Sequence, residues 1–134
     1  MAGQDLTLVD VIGHEADEVG PLDDEFVLLG ETTVQLDGLR ADDAGENYDG
    51  SGPMRWAIVL RRHGSGAVTA GFGTVQWAWA LSSVHDRQTP VPSPAARQAT
   101  LNLLADMGAV AAEIPPGLVR PAPVSWDSYG LPAP

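Results

Sequence analysis

The stretch "WAIVLRRHGSGAVTAGFGTVQWAWAL", residues 56–81, admits few folds. Trp56–Arg61 is an apolar run of strand length, and "RHGSG", from Arg62 to Gly66, is a glycine-rich turn. Ala67–Ala70 then returns antiparallel to the first strand, which makes a hairpin. Gly71 and Gly73 follow at once and let the backbone turn or pass close to a neighbour. Thr74 is placed to cap a helix that starts near Val75, its hydroxyl meeting an otherwise unbonded N–H. Trp77 and Trp79 stand two residues apart, so they suit neither a helical stripe nor a half-buried strand. On a helix from Val75, Trp77 shares a face with Ala80 and Leu81, while Trp79 lies about 200° round the axis. One indole then packs beneath the sheet and the other meets a second layer. Packing alone accounts for Trp77, Trp79, Gly71 and Gly73 as structural residues; an aromatic pair that serves a ligand is the alternative.

The rest of the chain supplies fewer signals. Leu6–Ile12 reads as a short strand that ends at Gly13, Phe26–Leu29 as another, and Thr32–Leu36, beyond Gly30, as a third. Residues 38–53 read as a long acidic loop rich in Gly and Asp, expected to be the least ordered internal segment. A second helix is well marked. Ser93 is a natural N-cap, Pro94 suits the first helical position and Gly108 provides the stop. From Pro115 onward come six of the chain's 11 prolines, which excludes helix and central strand there. Residues 115–134 are therefore expected to form an extended arm, with Trp126 and Tyr129 docking on another surface.

At 134 residues the chain is long enough for one core, and 44% hydrophobic residues are enough to fill it. It has no cysteine, which removes disulfides, thiolate metal sites and a Cys nucleophile together. No signal-peptide pattern and no apolar segment of membrane-spanning length is present, so a cytoplasmic protein without a membrane partner is expected. Charge is uneven. Fourteen of the 18 acidic residues lie in residues 1–50, where Arg40 is the only base, and the chain has no lysine. A net charge of −11 argues against nucleic acid, whose phosphates need a basic surface to replace their counterions.

The densest cluster of reactive side chains is Gly13-His14-Glu15-Ala16-Asp17-Glu18. His14 beside three carboxylates can ligate a hard metal or perform acid–base work, and a solvated acidic turn is the alternative. His85-Asp86-Arg87 pairs a base with a carboxylate but lacks a nucleophile motif, and reads as a polar helix end. The glycines at 64, 66, 71 and 73 form no phosphate-binding loop, which would need a lysine.

Three segments together resemble the C-terminal portion of the N,N-dimethylformamidase large (beta) subunit family, a region that also recurs in large actinobacterial multidomain proteins. "VIGHEADEV" (Val11 to Val19) is similar to a G-x-E-x-D-E segment. "GSGAVTAGFGTVQWAWAL" (Gly64 to Leu81) is similar to G-x-G-x-V-F-x-A-G-T-V-Q-W-x-W-G-L. "RQATLNLLADMGA" (Arg97 to Ala109) is similar to Q-Q-A-T-x-N-L-x-A-D-M-G. The resemblance spans about residues 6 to 114 and implies a module over residues 1–114 followed by the proline-rich tail, 115–134.

In fold it implies α/β: part of a glutamine-amidotransferase-like three-layer sandwich, here with an antiparallel hairpin and a proline-rich C-terminal arm. Catalytic members of the family hydrolyse an amide at an iron held by two tyrosines and a glutamate. Those ligands lie upstream in the family, and neither Tyr48 nor Tyr129 has a matching context. Glu15 matches the Glu of the acidic segment and, with His14, would be catalytic only in a completed site. The chain departs from the pattern at Ala16, where an aromatic is usual, and at Ala80 and Ser82, where Gly and Asp are usual. The resemblance thus implies a module that is not catalytic alone and completes a domain with another protein chain or by self-association. No cofactor is expected in the isolated chain, and iron only in a complete complex. Two alternatives stand beside it: a subunit of an iron-dependent amidohydrolase, and a binding module for a small ligand or carbohydrate.

Overall fold

The computed structural model describes residues 6–8, 11–12, 16–39, 50–86 and 92–131, and its sheet is built around the 56–61 run. Strand β2 (Gly50–Arg62) pairs antiparallel with β1 (Phe26–Leu39) on one side and with β3 (Val68–Gly71) on the other, in the order β1-β2-β3. The expected hairpin is present: the His63 N–H donates to the Ala67 carbonyl at 2.8 Å, and Gly66 adopts φ 85° to close the turn.

The two strands expected at 26–29 and 32–36 are one continuous strand. Leu28 pairs with Val59 and Gly30 with Ile58, which leaves Leu29 as a bulge. The bulge has a reason in the sequence. Val27 and Leu29 are inward at odd positions, and unbroken alternation would next bury Glu31, Thr33 and Gln35. One extra residue switches the parity, so that Val34 and Leu36 turn inward instead. The strands also run deep into the segment expected to be a loop, with Gln35 opposite Pro53, Leu36 opposite Gly52 and Leu39 opposite Gly50. The loop is therefore shorter than 38–53; residues 40–49 lie outside the described residues.

Leu6, Leu8, Val11 and Ile12 are not strand, contrary to expectation; they pack as side chains on the core, with Val11 buried. The seat beside β2 is taken instead by residues 16–19. Ala16 bridges Thr74, the Asp17 N–H donates to the Gly73 carbonyl at 2.9 Å, and the Val19 N–H donates to the Arg55 carbonyl at 2.8 Å. This segment continues the side of β2 that β3 leaves at Gly71.

Helix α1 is a single turn, Gln76–Trp79, and Thr74 Oγ1 accepts from the Gln76 N–H at 3.1 Å. Helix α2 (Pro94–Asp106) has the expected ends. Ser93 Oγ accepts from the Ala96 N–H at 3.3 Å and Pro94 occupies the first turn. At the other end Gly108 takes φ 87°, with Gly108 N–H to the Ala105 carbonyl at 2.9 Å and Ala109 N–H to the Leu104 carbonyl at 2.8 Å.

Met54, Trp56, Ile58 and Leu60 alternate along β2 and all point to one face of the sheet. There they meet Trp77, Ala80, Ala96, Ala99 and Leu103. Both helices cover this face. The opposite face carries Phe26, Leu28 and Val59 with two ion pairs, Arg61–Glu25 and Arg55–Glu31. The described residues thus form a small mixed α/β domain on a three-stranded antiparallel sheet. None of its helices is long and apolar enough to cross a membrane.

The proline-rich arm lies on its own chain, which corrects the expectation that its aromatics dock elsewhere. Trp126 and Tyr129 stand on a 3-10 turn and, with buried Leu131, close over Leu60 and Leu103 at the end of α2. Prolines deny the arm a ladder of its own, so side chains of α2 supply the bonds. The Gln98 amide donates to the Val119 carbonyl at 2.9 Å and accepts from the Val119 N–H at 2.7 Å, in the manner of a strand neighbour. Asp106 accepts from the Val124 N–H at 2.9 Å and from the Tyr129 hydroxyl.

Candidate functional site

The turn at Gly71–Thr74 is where the sequence concentrates its signals, and its geometry is set by two indoles. The Trp56 N–H donates to the Phe72 carbonyl at 2.8 Å, which lays the ring flat beneath the turn. A Cβ on Gly73 would sit 3.2 Å from that ring, and Gly73 has φ 58°, so both space and backbone select glycine. A Cβ on Gly71 would meet Val59 Cγ2 at 3.3 Å. The Phe72 ring stacks on Trp77 with centroids 4.2 Å apart. Trp77 is 5% exposed, and its N–H donates to Thr100 Oγ1 at 3.1 Å, which in turn donates to the Ala96 carbonyl at 2.9 Å. Trp79 is half-buried and lies 6.3 Å from the His85 ring. Asp86 is exposed, and Arg87 lies outside the described residues.

His14 and Glu15 also lie outside the described residues. The residues that follow them are anchored at this turn through Ala16 and Asp17, so the first two segments of the resemblance are neighbours in space. The third segment joins them through Thr100. Among the described residues no three His, Asp or Glu side chains converge as a metal site. Tyr129, the one described tyrosine, turns its hydroxyl to Asp106, and Glu25 and Glu31 are held by arginines. That donor set, among the described residues, does not fit an iron with two tyrosine ligands and a glutamate.

What the structure adds is a cavity of about 530 Å³ on the core face, lined along β1 by Val27 to Thr32. Its walls are Leu6, Leu8, Ile12, Val27, Leu29 and Ile58, with Trp56 among them; Thr32 and Ser128 bring hydroxyls to it, and Tyr129 closes one side. Trp77 and Trp79 do not line it. Burial acts to raise the Asp106 carboxyl next to Tyr129, hydrogen bonds from the Tyr129 hydroxyl and the Val124 N–H act to lower it, and the carboxyl sits below its ordinary value. The sequence reading missed this cavity because it depends on the bulge at Leu29; the parity switch from Val27 and Leu29 to Val34 and Leu36 was its only signal. Compared with protein-family models, curated proteins and solved structures, the chain gives no match.

Proposed function

We propose that the chain is a non-catalytic assembly module whose sheet is completed by another protein chain. One observation carries this reading: among the described residues, helices cover a single face of the sheet, and the other face has apolar residues at its centre and a long strand at its edge. Leu28 is 39% exposed there, between half-buried Phe26 and Val59. The outer side of α2 adds Leu104 and Met107, both exposed, although α2 already buries Ala96, Ala99 and Leu103 against the sheet. A helix apolar on both sides is normally covered on both sides. The resemblance to the dimethylformamidase large subunit supplies the form of completion: a glutamine-amidotransferase-like sandwich, with a cytoplasmic partner bringing the second helical layer. An iron-dependent amidohydrolase would then need its metal ligands from that partner, with His14 and Glu15 facing them.

The cavity favours a second reading, in which it holds a small apolar ligand or one face of a sugar ring. The two readings separate on one substitution. Phe26→Glu places a carboxylate on the uncovered face at a residue that, unlike Leu28, does not line the cavity. The assembly reading expects the parent to bind a hydrophobic dye and to associate as concentration rises, and expects Phe26→Glu to reduce both. A parent that binds no dye and does not associate would overturn it.

A further inference from the structure

The hydrogen-bond pattern of β1 identifies which of its backbone groups face away from the sheet. The Arg55 carbonyl is taken by Val19 on the side of β2 remote from β1, so the opposed pair Thr33–Arg55 exchanges no hydrogen bonds. Thr33 therefore directs its N–H and C=O outward. The same holds, by alternation, for Glu31 opposite Ala57, Gln35 opposite Pro53 and Asp37 opposite Ser51. Pro53 fits this register, because at that position β1 asks it for no N–H. Among the described residues no strand lies on this outer side. Glu31 to Asp37 is thus a regular free edge about 20 Å long, beginning just past the bulge.

From this edge we propose that the module takes up an extended segment of a partner protein as a fourth, antiparallel strand, with apolar and basic residues alternating along it. The inference rests on the assembly reading and names its mode. A strand bonded to Glu31–Asp37 sends every second side chain to the core face, where the cavity mouth beside Leu29 and Thr32 receives an apolar one. Its other side chains emerge beside Thr33, Gln35 and Asp37; Glu31 is already paired with Arg55, so Asp37 and the net charge of −11 favour Lys or Arg there.

A second copy of β1 does not suit the same edge. The two-fold antiparallel register that uses every outward group sets Thr33 opposite Gln35 and Glu31 opposite Asp37. Asp37 then meets the Arg55-bound Glu31 at both ends, so neither end offers it a free cation, and a net charge of −11 on each chain opposes the pairing. An antiparallel strand extends the sheet in its existing sense, and puts the basic residues, not the apolar ones, on the rungs bonded to β1.

The test uses the full chain and a capped nine-residue peptide of alternating Val and Lys, in about 0.15 M salt to screen long-range attraction. Two further peptides keep the composition and charge: one is N-methylated at every Lys, the other at every Val. Binding is measured by titration calorimetry, and amide exchange is followed at Thr33 and Gln35. The expected result is that the parent peptide slows exchange at both amides, that Lys N-methylation weakens binding about tenfold or more, and that Val N-methylation leaves it within a few-fold. Thr33→Pro should weaken binding as Lys N-methylation does, since it removes an outward N–H and no bond to β2; its fold is checked by circular dichroism. No binding, or equal binding of all three peptides, overturns the proposal. If Thr33→Pro binds like the parent while Phe26→Glu still suppresses association, the edge mode falls and the assembly reading stands.

Discussion

Trp77→Ala probes the joint between sheet and helix, and its magnitude can be worked out from the contacts. Trp77 is 5% exposed, so truncation empties nearly the whole indole volume next to Phe72 and Ala80. Core Trp→Ala changes cost about 3–5 kcal/mol. The lost hydrogen bond to Thr100 adds little, since the Thr100 hydroxyl still donates to the Ala96 carbonyl and is not orphaned. Trp77→Phe separates the parts: it keeps a ring against Phe72 and loses the N–H, and should cost about 1–2 kcal/mol. For a domain of this size the Ala variant should melt roughly 10 °C or more below the parent. Thermal unfolding followed by circular dichroism, with urea titration for the free energy, measures both. A Trp77→Ala protein that melts within a degree or two of the parent would refute the reasoning and move Trp77 to a surface role.

Gln98→Ala should release the arm: it removes both bonds to exposed Val119, whose N–H and C=O water can then take up, at about 1–3 kcal/mol, and should speed amide exchange at Val119 well before global unfolding. Asp106 sits below its ordinary pKa in the fold, so its charge stabilises the docked arm above about pH 4 and that contribution is lost as pH falls further. Trp126 fluorescence should report undocking below about pH 4 in the parent, and Asp106→Asn should flatten that acid transition; an unchanged transition would count against the assignment. Gly73→Ala forces a side chain into φ 58° and against a Trp56 ring tied down by its own hydrogen bond, and should cost about 2 kcal/mol or more by urea titration.

How much was legible in the sequence follows from how local each signal is. The hairpin and both ends of α2 rest on residues a few positions apart, Gly66 at a turn and Ser93, Pro94 and Gly108 at caps, and these were read correctly. The strand at 26–39 looked like two because Gly30 resembles a break, whereas the bulge at Leu29 is set by which residues β2 must bury. Leu6–Ile12 has the apolar content of a strand, but the place beside β2 went to Ala16–Val19, which carries no strand pattern at all. The prolines after 115 keep α-helix and strand out of the described part of the arm, although Trp126–Tyr129 takes one 3-10 turn. They did not reveal that Gln98 and Asp106, polar residues inside a helix, were there to hold the arm. For the candidate site, the Gly-Phe-Gly turn and Trp77 were legible, since a close approach leaves a glycine signature. The free edge was not, because it is defined by what no described residue covers.

The central claim is that the uncovered face and edge of the sheet belong to an interface. Light scattering of the purified chain across salt concentrations tests it most directly. Self-repulsion at a net charge of −11 holds chains apart at low salt, and screening removes that barrier while apolar contact persists. With no partner chain present, the apolar face and not the strand edge brings copies together, so the account predicts a mass above 14.0 kDa that rises with salt. A mass constant at 14.0 kDa through the whole range, together with a sharp cooperative melt, would mean that the chain closes its own core and needs no other.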